Sequence, residues 1–136
     1  KCTGFDLTVD QASNNDKVKL FPAELNDPIK APSQSFDAVL SLAVIEHLNN
    51  YDQHVKEAWR ILKPNGLFLL TTPAPTAKPI LEILAYLGLI NFDSIKDHKR
   101  YFNKGMLIKL FESSDFKEIK FYYFQGGLNQ LIIGTK

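Results

Sequence analysis

Cysteine is almost absent from this chain: Cys2 is the only one among 136 residues. An intramolecular disulfide is therefore impossible, and so is a zinc site built on clustered thiolates. An excess of one charge is missing too. Sixteen Lys and Arg stand against fifteen Asp and Glu, a formal net charge of +1. A nucleic-acid-binding surface usually shows as a clustered basic excess, so nucleic acid is not an expected partner. Long apolar runs are also lacking. The longest, Pro79–Ile90, falls well short of the roughly 20 residues that a membrane-spanning helix needs. No basic-then-apolar leader pattern opens the chain. No repeat, low-complexity tract or long linker divides it. These absences lead to one soluble domain, 1–136, with a cytoplasmic setting as the default.

What is present suits such a domain. Hydrophobic residues make up 45% and aromatics 12%, and a chain of this size buries roughly two-thirds of the surface its unfolded form exposes. The pattern alternates strands and helices. Cys2–Leu7 and Val18–Phe21 read as short strands, with Gln11–Lys17 a polar loop or weak helical turn between them. Asn26–Ser35 carries Pro28 and Pro32 and reads as a loop. Phe36–Leu42 is continuously apolar after a turn signal, as in a strand buried on both faces of a parallel sheet. Tyr51–Leu62 has helical spacing, with Val55, Ala58, Trp59 and Leu62 inward and Asn49 available as a cap. Pro64 and Asn65–Gly66 end it, and Leu67–Thr72 follows as another buried strand. Pro79 suits the first position of a helix running to about Ile90. Lys104–Ser114 reads as a helix capped by Asn103, with Met106, Leu107, Leu110 and Phe111 inward. Glu118–Phe124 and Leu128–Thr135, joined by a three-residue link, read as an antiparallel pair.

Apolar strands with helical crossovers imply an open α/β sheet of parallel strands. In such a sheet ligands sit beyond the carboxyl ends of the strands. There Asp6 can accept hydrogen bonds from both hydroxyls of a ribose, or simply form a turn. Glu24 can take an adenine amine, or stand solvated. Leu25 can pack on a purine face, or belong to the core.

The segments "FDAVLSLAVIEHL" (Phe36–Leu48) and "EAWRILKPNGLFLLTTP" (Glu57–Pro73) resemble the class I S-adenosylmethionine-dependent methyltransferases of the type 11 (UbiE/UbiG-like) group. The likeness extends to "GFDL" (Gly4–Leu7), "AELNDPI" (Ala23–Ile29), "DHKRYF" (Asp97–Phe102) and "FESSDFKEIK" (Phe111–Lys120). It implies a Rossmann-like three-layer fold, a mostly parallel sheet with an antiparallel C-terminal hairpin. It also implies S-adenosyl-L-methionine as cofactor and a small-molecule or lipid- or sugar-linked acceptor. Residue by residue, the resemblance places Asp6 on the ribose and Leu7 beside the adenine. Glu24 meets the adenine amine, with the Leu25 amide beside it. The backbone of Ser41, Leu42 and Ala43 lies near the methionine part.

Two departures carry expectations of their own. The family's glycine-rich first strand and loop do not stand in the sequence, which begins at the family's second strand. The chain is thus expected to hold the C-terminal two-thirds of the fold and to bind the cofactor poorly. The strands of Asp6 and Ser41 should then part, close up or take in a partner segment. Asn65–Gly66 replaces the family's Gly-Gly, a substitution that Asn tolerates in left-handed geometry. Some relatives bind a metal through a Glu three residues before Glu46–His47; Ala43 stands there, so no metal is expected.

Methyl transfer from an activated sulfonium needs mainly alignment, plus a base where a proton must leave. His47, His98 and Tyr101 are the candidates for that base or for acceptor contact, each with a structural role as its alternative. The apolar Pro79–Ile90 is expected to be a buried helix, or one covered by a segment preceding Lys1, with an acceptor lid or a homodimer surface as the other readings. Lys96, Lys99, Arg100 and Lys104 read as a solvated basic face or an anion site. A nicotinamide-dependent oxidoreductase and a non-catalytic, truncated binding module remain the competing classes.

Overall fold

The first two strands pair parallel: β1 (Cys2–Asp6) with β2 (Val18–Pro22), from Cys2↔Val18 to Asp6↔Pro22. The computed structural model describes residues 1–10, 14–87 and 99–136, with backbone alone at 81–82 and 84–85. After a loop come β3 (Phe36–Leu42), α1 (Tyr51–Ile61), β4 (Leu62–Pro73) and α2 (Ala77–Tyr86). The chain closes with α3 (Lys104–Ser113), β5 (Lys117–Phe124) and β6 (Asn129–Thr135). Among the described residues the strands form two sheets. One is β1-β2; the other has the order β3-β4-β6-β5. β3 and β4 run parallel, while β6 is antiparallel to both β4 and β5. The α/β class, the parallel pairs and the antiparallel terminal hairpin agree with the sequence reading. The strands of Asp6 and Ser41 part into separate sheets, one of the three arrangements expected.

Several local expectations need correction. β3 is not buried on both faces: Leu40 is 61% and Leu42 59% exposed. The strand is an edge of its sheet, and helix α1 covers only the side carrying Val39 and Ser41. The cap of α1 is Asn50, not Asn49, and neither supplies a side-chain bond to the helix. β4 starts at Leu62, earlier than Leu67, because Leu62 pairs with Phe36 ahead of the Asn65 turn. Asn65 takes the expected left-handed conformation, φ 63°. Pro79 is the third residue of α2 rather than the first. Where its side chains are described, the helix is not buried within this chain beyond Ala77. Ile80, Ile83 and Tyr86, with Leu87 just beyond, are exposed, up to 88% at Tyr86. The remainder of Pro79–Ile90 lies outside the described residues.

α3 agrees with expectation, its cap included: the Met106 amide donates to Asn103 Oδ1 at 2.9 Å. Leu107, Leu110 and Phe111 face the core, which gathers between α1, α3 and the four-stranded sheet. Lys136 closes the far end of α1. Its ammonium donates to the Trp59 and Leu62 carbonyls at 2.7 and 2.8 Å and lies 3.9 Å from the Trp59 ring centre. Carbonyls left over at a helix end are thereby satisfied by a cation.

The core leaves no room at Gly134. A Cβ there would stand 2.9 Å from Phe111 Cδ1 and 3.0 Å from Phe116 Cβ. Gly134→Ala is accordingly expected to destabilise the fold by about 1–3 kcal/mol through overpacking. Equilibrium urea unfolding measures this; an unchanged midpoint would contradict the tight fit. No helix among the described residues is long and apolar enough to cross a membrane.

Candidate functional site

The carboxyl ends of the parallel strands carry the polar groups of interest, in two clusters. At the end of β1 the Asp6 carboxylate accepts from the Thr8 amide at 3.0 Å through Oδ1, a local turn that holds the side chain outward. Thr8 is its only donor among the described residues. The carbonyl of Asp6 accepts from Ala23 at 2.8 Å, which draws the end of β2 alongside. Glu24 follows, exposed. Its Oε1 accepts from the Asn26 amide at 3.1 Å and from Asn26 Nδ2 at 2.8 Å. These bonds hold the Glu24 carboxyl below its ordinary range. Leu7 is 68% exposed, and Leu25 is half-buried.

A cleft of about 430 Å³ opens beside this cluster, lined by Phe5, Phe21, Pro22, Glu24 and Asp27 among others. The Phe5 and Phe21 rings stack across its floor, 5.9 Å apart. Successive side chains of a strand point to opposite faces, so Asp6 stands on the other side of the sheet from Phe5. The cleft holds Glu24, and the Asp6 carboxylate does not share its face.

The second cluster lies at the end of β3. Ser41 is buried, and its Oγ lies 2.9 Å from His54 Nε2 on α1. Nδ1 of His54 has no partner among the described residues. Burial alone pushes the His54 pKa down to about 4, so the ring is neutral at pH 7. Leu42 is exposed. Ala43 is left-handed, φ 52°, held there because its amide donates to the Thr71 carbonyl and hydroxyl at 3.1 and 3.2 Å. A non-glycine residue in that conformation is strained, and the bonds to β4 maintain it.

Beyond β3 a 3-10 turn, Ile45–His47, carries Glu46 and His47. Glu46 is buried, and its Oε2 accepts from the Thr72 hydroxyl at 2.9 Å. Its carbonyl accepts from the Lys99 amide at 2.9 Å. That bond brings the turn of His47 against the segment of Tyr101, and both side chains are half-buried. His98 and Lys96 lie outside the described residues. Of the other basic residues, Arg100 lies over the Tyr51 ring and Lys104 over the Phe121 ring. Among the described residues no group of three or more His, Cys, Asp or Glu is placed to hold a metal.

The residues that join the clusters escaped the sequence reading. Asn26 Oδ1 accepts from the Asn49 and Asn50 amides at 2.8 and 3.2 Å. Glu57 Oε2 accepts from the Ile29 amide, and Arg60 donates to the Ile29 and Ala31 carbonyls, each at 2.9 Å. Arg60 also pairs with Glu57 and holds its carboxyl below the ordinary range. His54 left one legible trace: it is a titratable residue on the apolar stripe of α1. Asn26 left none, because the partners that tie it to α1's entry, Asn49 and Asn50, lie more than twenty residues away.

Comparison with known proteins places this geometry. The family model described as "Methyltransferase domain" matches residues 1–70. A protein of Mycolicibacterium smegmatis named for S-adenosylmethionine-dependent methyl transfer is 33% identical over 92 residues, 63% of this chain and 30% of that protein. A ubiquinone biosynthesis O-methyltransferase of Pelagibacter ubique is 29% identical over 80 residues, 52% of this chain and 33% of its own length. The chain spans about a third of these curated relatives. Among solved structures, a SAM-dependent methyltransferase from Archaeoglobus fulgidus superposes with a TM-score of 0.76 at 16% identity, over 98% of this chain and 75% of its own. That likeness is one of fold.

Proposed function

The chain belongs to the class I S-adenosylmethionine-dependent methyltransferases of the type 11 group, and from that premise we propose that it holds S-adenosyl-L-methionine across the carboxyl ends of β1 and β3 for methyl transfer to a small-molecule or lipid-linked acceptor. Family membership sets the nicotinamide reading aside. The observation that carries the proposal is Asp6. It is an outward carboxylate at the end of a parallel strand, held by Thr8 through one oxygen, with the other oxygen unbonded among the described residues. Such a group fits the two hydroxyls of a ribose, which only donate usefully to an acceptor.

Each residue then has a part. Asp6 takes the ribose hydroxyls, and Leu7, exposed beside it, offers apolar surface to the adenine. Glu24 accepts from the adenine amine through Oε2, since Asn26 occupies Oε1. The half-buried Leu25 supports that contact. Ser41, Leu42 and the strained Ala43 present backbone to the methionine part. When bound, the cofactor supplies a methyl group already activated by its sulfonium, so the protein's task is alignment. His47 and Tyr101 are brought near each other by the Lys99–Glu46 bond, and they are the groups we assign to acceptor contact or proton removal. The O-methyltransferase name of the Pelagibacter relative supports a small or lipid-linked acceptor.

Asp6→Ala tests the ribose assignment. Loss of hydrogen bonds from a carboxylate is expected to weaken S-adenosylhomocysteine binding by about 10- to 100-fold. Isothermal calorimetry on the intact protein measures it. An unchanged dissociation constant would refute the role of Asp6. No binding by the intact wild-type protein would favour the non-catalytic module instead.

A further inference from the structure

Among the described residues no strand hydrogen bond joins the two sheets. Their relative placement is therefore carried by the loop that follows β2, and one side chain spans the junction. Asn26 uses both ends of its amide. Nδ2 donates to Glu24 Oε1 at 2.8 Å, while Oδ1 accepts from the Asn49 and Asn50 amides at 2.8 and 3.2 Å. A side-chain amide has two donor hydrogens and two acceptor lone pairs. Both acceptor sites are filled here by the start of α1. Asn50 caps α1 without a side-chain bond of its own, and Asn26, from a distant loop, accepts from the amides of that cap residue and of the residue before it.

We infer that Asn26 is a positioning residue: it locks the Glu24 carboxylate to Asn49 and Asn50 at the entry to α1 and so sets its separation from the end of β3. The inference rests on the reading of Glu24 as a cofactor contact. The rest of the loop shows why the lock falls at Asn26. Further along, Glu57 and Arg60 tie Ile29 and Ala31 to the middle of α1, and the Gln34 and Ser35 amides donate to the Arg60 and Ile61 carbonyls. Those bonds fasten the loop to the helix but reach neither Glu24 nor the strand ends. Asn26 is the one described side chain that bonds both to Glu24 and to the residues leading into α1.

The amide's two ends can be separated by substitution. Asn26→Asp keeps an acceptor for the Asn49 and Asn50 amides, and a carboxylate there suits the positive end of the helix. It loses the side-chain donor to Glu24, keeping only the backbone amide on Oε1, and sets two carboxylates against each other. Asn26→Ala loses both ends. In the intact protein, Asn26→Asp is expected to keep the wild-type protection of the Asn49 and Asn50 amides in hydrogen exchange. It should weaken S-adenosylhomocysteine binding by about tenfold, the size of one hydrogen bond to a charged group. Asn26→Ala should lose the protection and at least as much affinity. Wild-type affinity in Asn26→Asp would overturn the inference, since the residue would then only cap the helix. Unchanged amide protection in Asn26→Ala would overturn it as well, by showing that no bond to α1 is made. If the wild-type protein does not bind the ligand, the reading of Glu24 as a cofactor contact fails. The lock is then decided by the exchange data together with an NMR titration of Glu24. A Glu24 carboxyl that rises in Asn26→Asp supports the lock, and one that titrates as in wild type overturns it.

Discussion

As the pH falls from 6.5 to about 4, the fold is expected to lose about 3 kcal/mol of stability through His54 alone. The ring is 7% exposed and touches Ser41 Oγ through Nε2, and among the described residues no acceptor stands at Nδ1 to receive the N–H of a charged ring. In the folded chain its pKa is held down to about 4 by burial, against 6.5 in the open chain. The unfolded state therefore binds a proton first, and stability declines with pH over that interval. Above 6.5 both states are neutral and the contribution is whole; well below 4 both are charged and the loss is complete. Glu57 behaves in a lower window. Arg60 depresses its carboxyl below the ordinary 4.5, so its contribution begins to fade only as the pH drops under that value. Urea unfolding at a series of pH values separates the two. His54→Gln keeps a hydrogen-bonding amide near Ser41 but cannot titrate, and its stability should be nearly flat between pH 6.5 and 5. Parallel pH curves for the variant and the wild type would show that His54 is not the titrating group.

Phe68→Ala is expected to cost about 3–5 kcal/mol, transfer loss and cavity together. Phe68 is fully buried on β4 at the centre of an aromatic trio. Its ring stacks on Phe111 at 5.1 Å and 8°, and on Phe116 at 5.4 Å and 30°, and those two meet at 5.1 Å. The trio joins the sheet to α3 and the turn after it, so truncation empties the place where three elements meet. Natural domains are stable by only about 5–15 kcal/mol, so this single change removes a large share. Phe68→Leu should cost less, because it keeps most of the volume. Chemical denaturation measures both. A loss below about 1 kcal/mol in Phe68→Ala would mean that the trio collapses onto the gap and that Phe68 is not the centre of the core.

Much of this architecture was legible because its causes are local. α3 announces itself by Asn103 and by the spacing of Leu107, Leu110 and Phe111; the terminal hairpin does so by the shortness of its Gln125–Gly127 link. The left-handed turn at Asn65 follows from residue type. Positions at strand ends, Asp6 and Ser41 among them, were legible for the same reason. β3 misled because a continuous apolar run reports the presence of a strand and not how many neighbours it has. Among the described residues only β4 pairs with it. For Pro79–Ile90 the same holds, since apolar composition cannot say what covers each side chain.

The sequence by itself determined which segments are strands and helices, the direction of the chain through them, and the family whose motifs they carry. Those depend on spacing, capping and turn chemistry within a few residues. Only the tertiary structure decided what stands between the two sheets. A bond from Asn26 to Asn49 crosses 23 positions, from Ile29 to Glu57 28, and from Ser41 to His54 13. No local preference encodes such separations. They arise when the loop after β2 lies down on α1, and that packing sets where the Glu24 carboxylate stands relative to the end of β3.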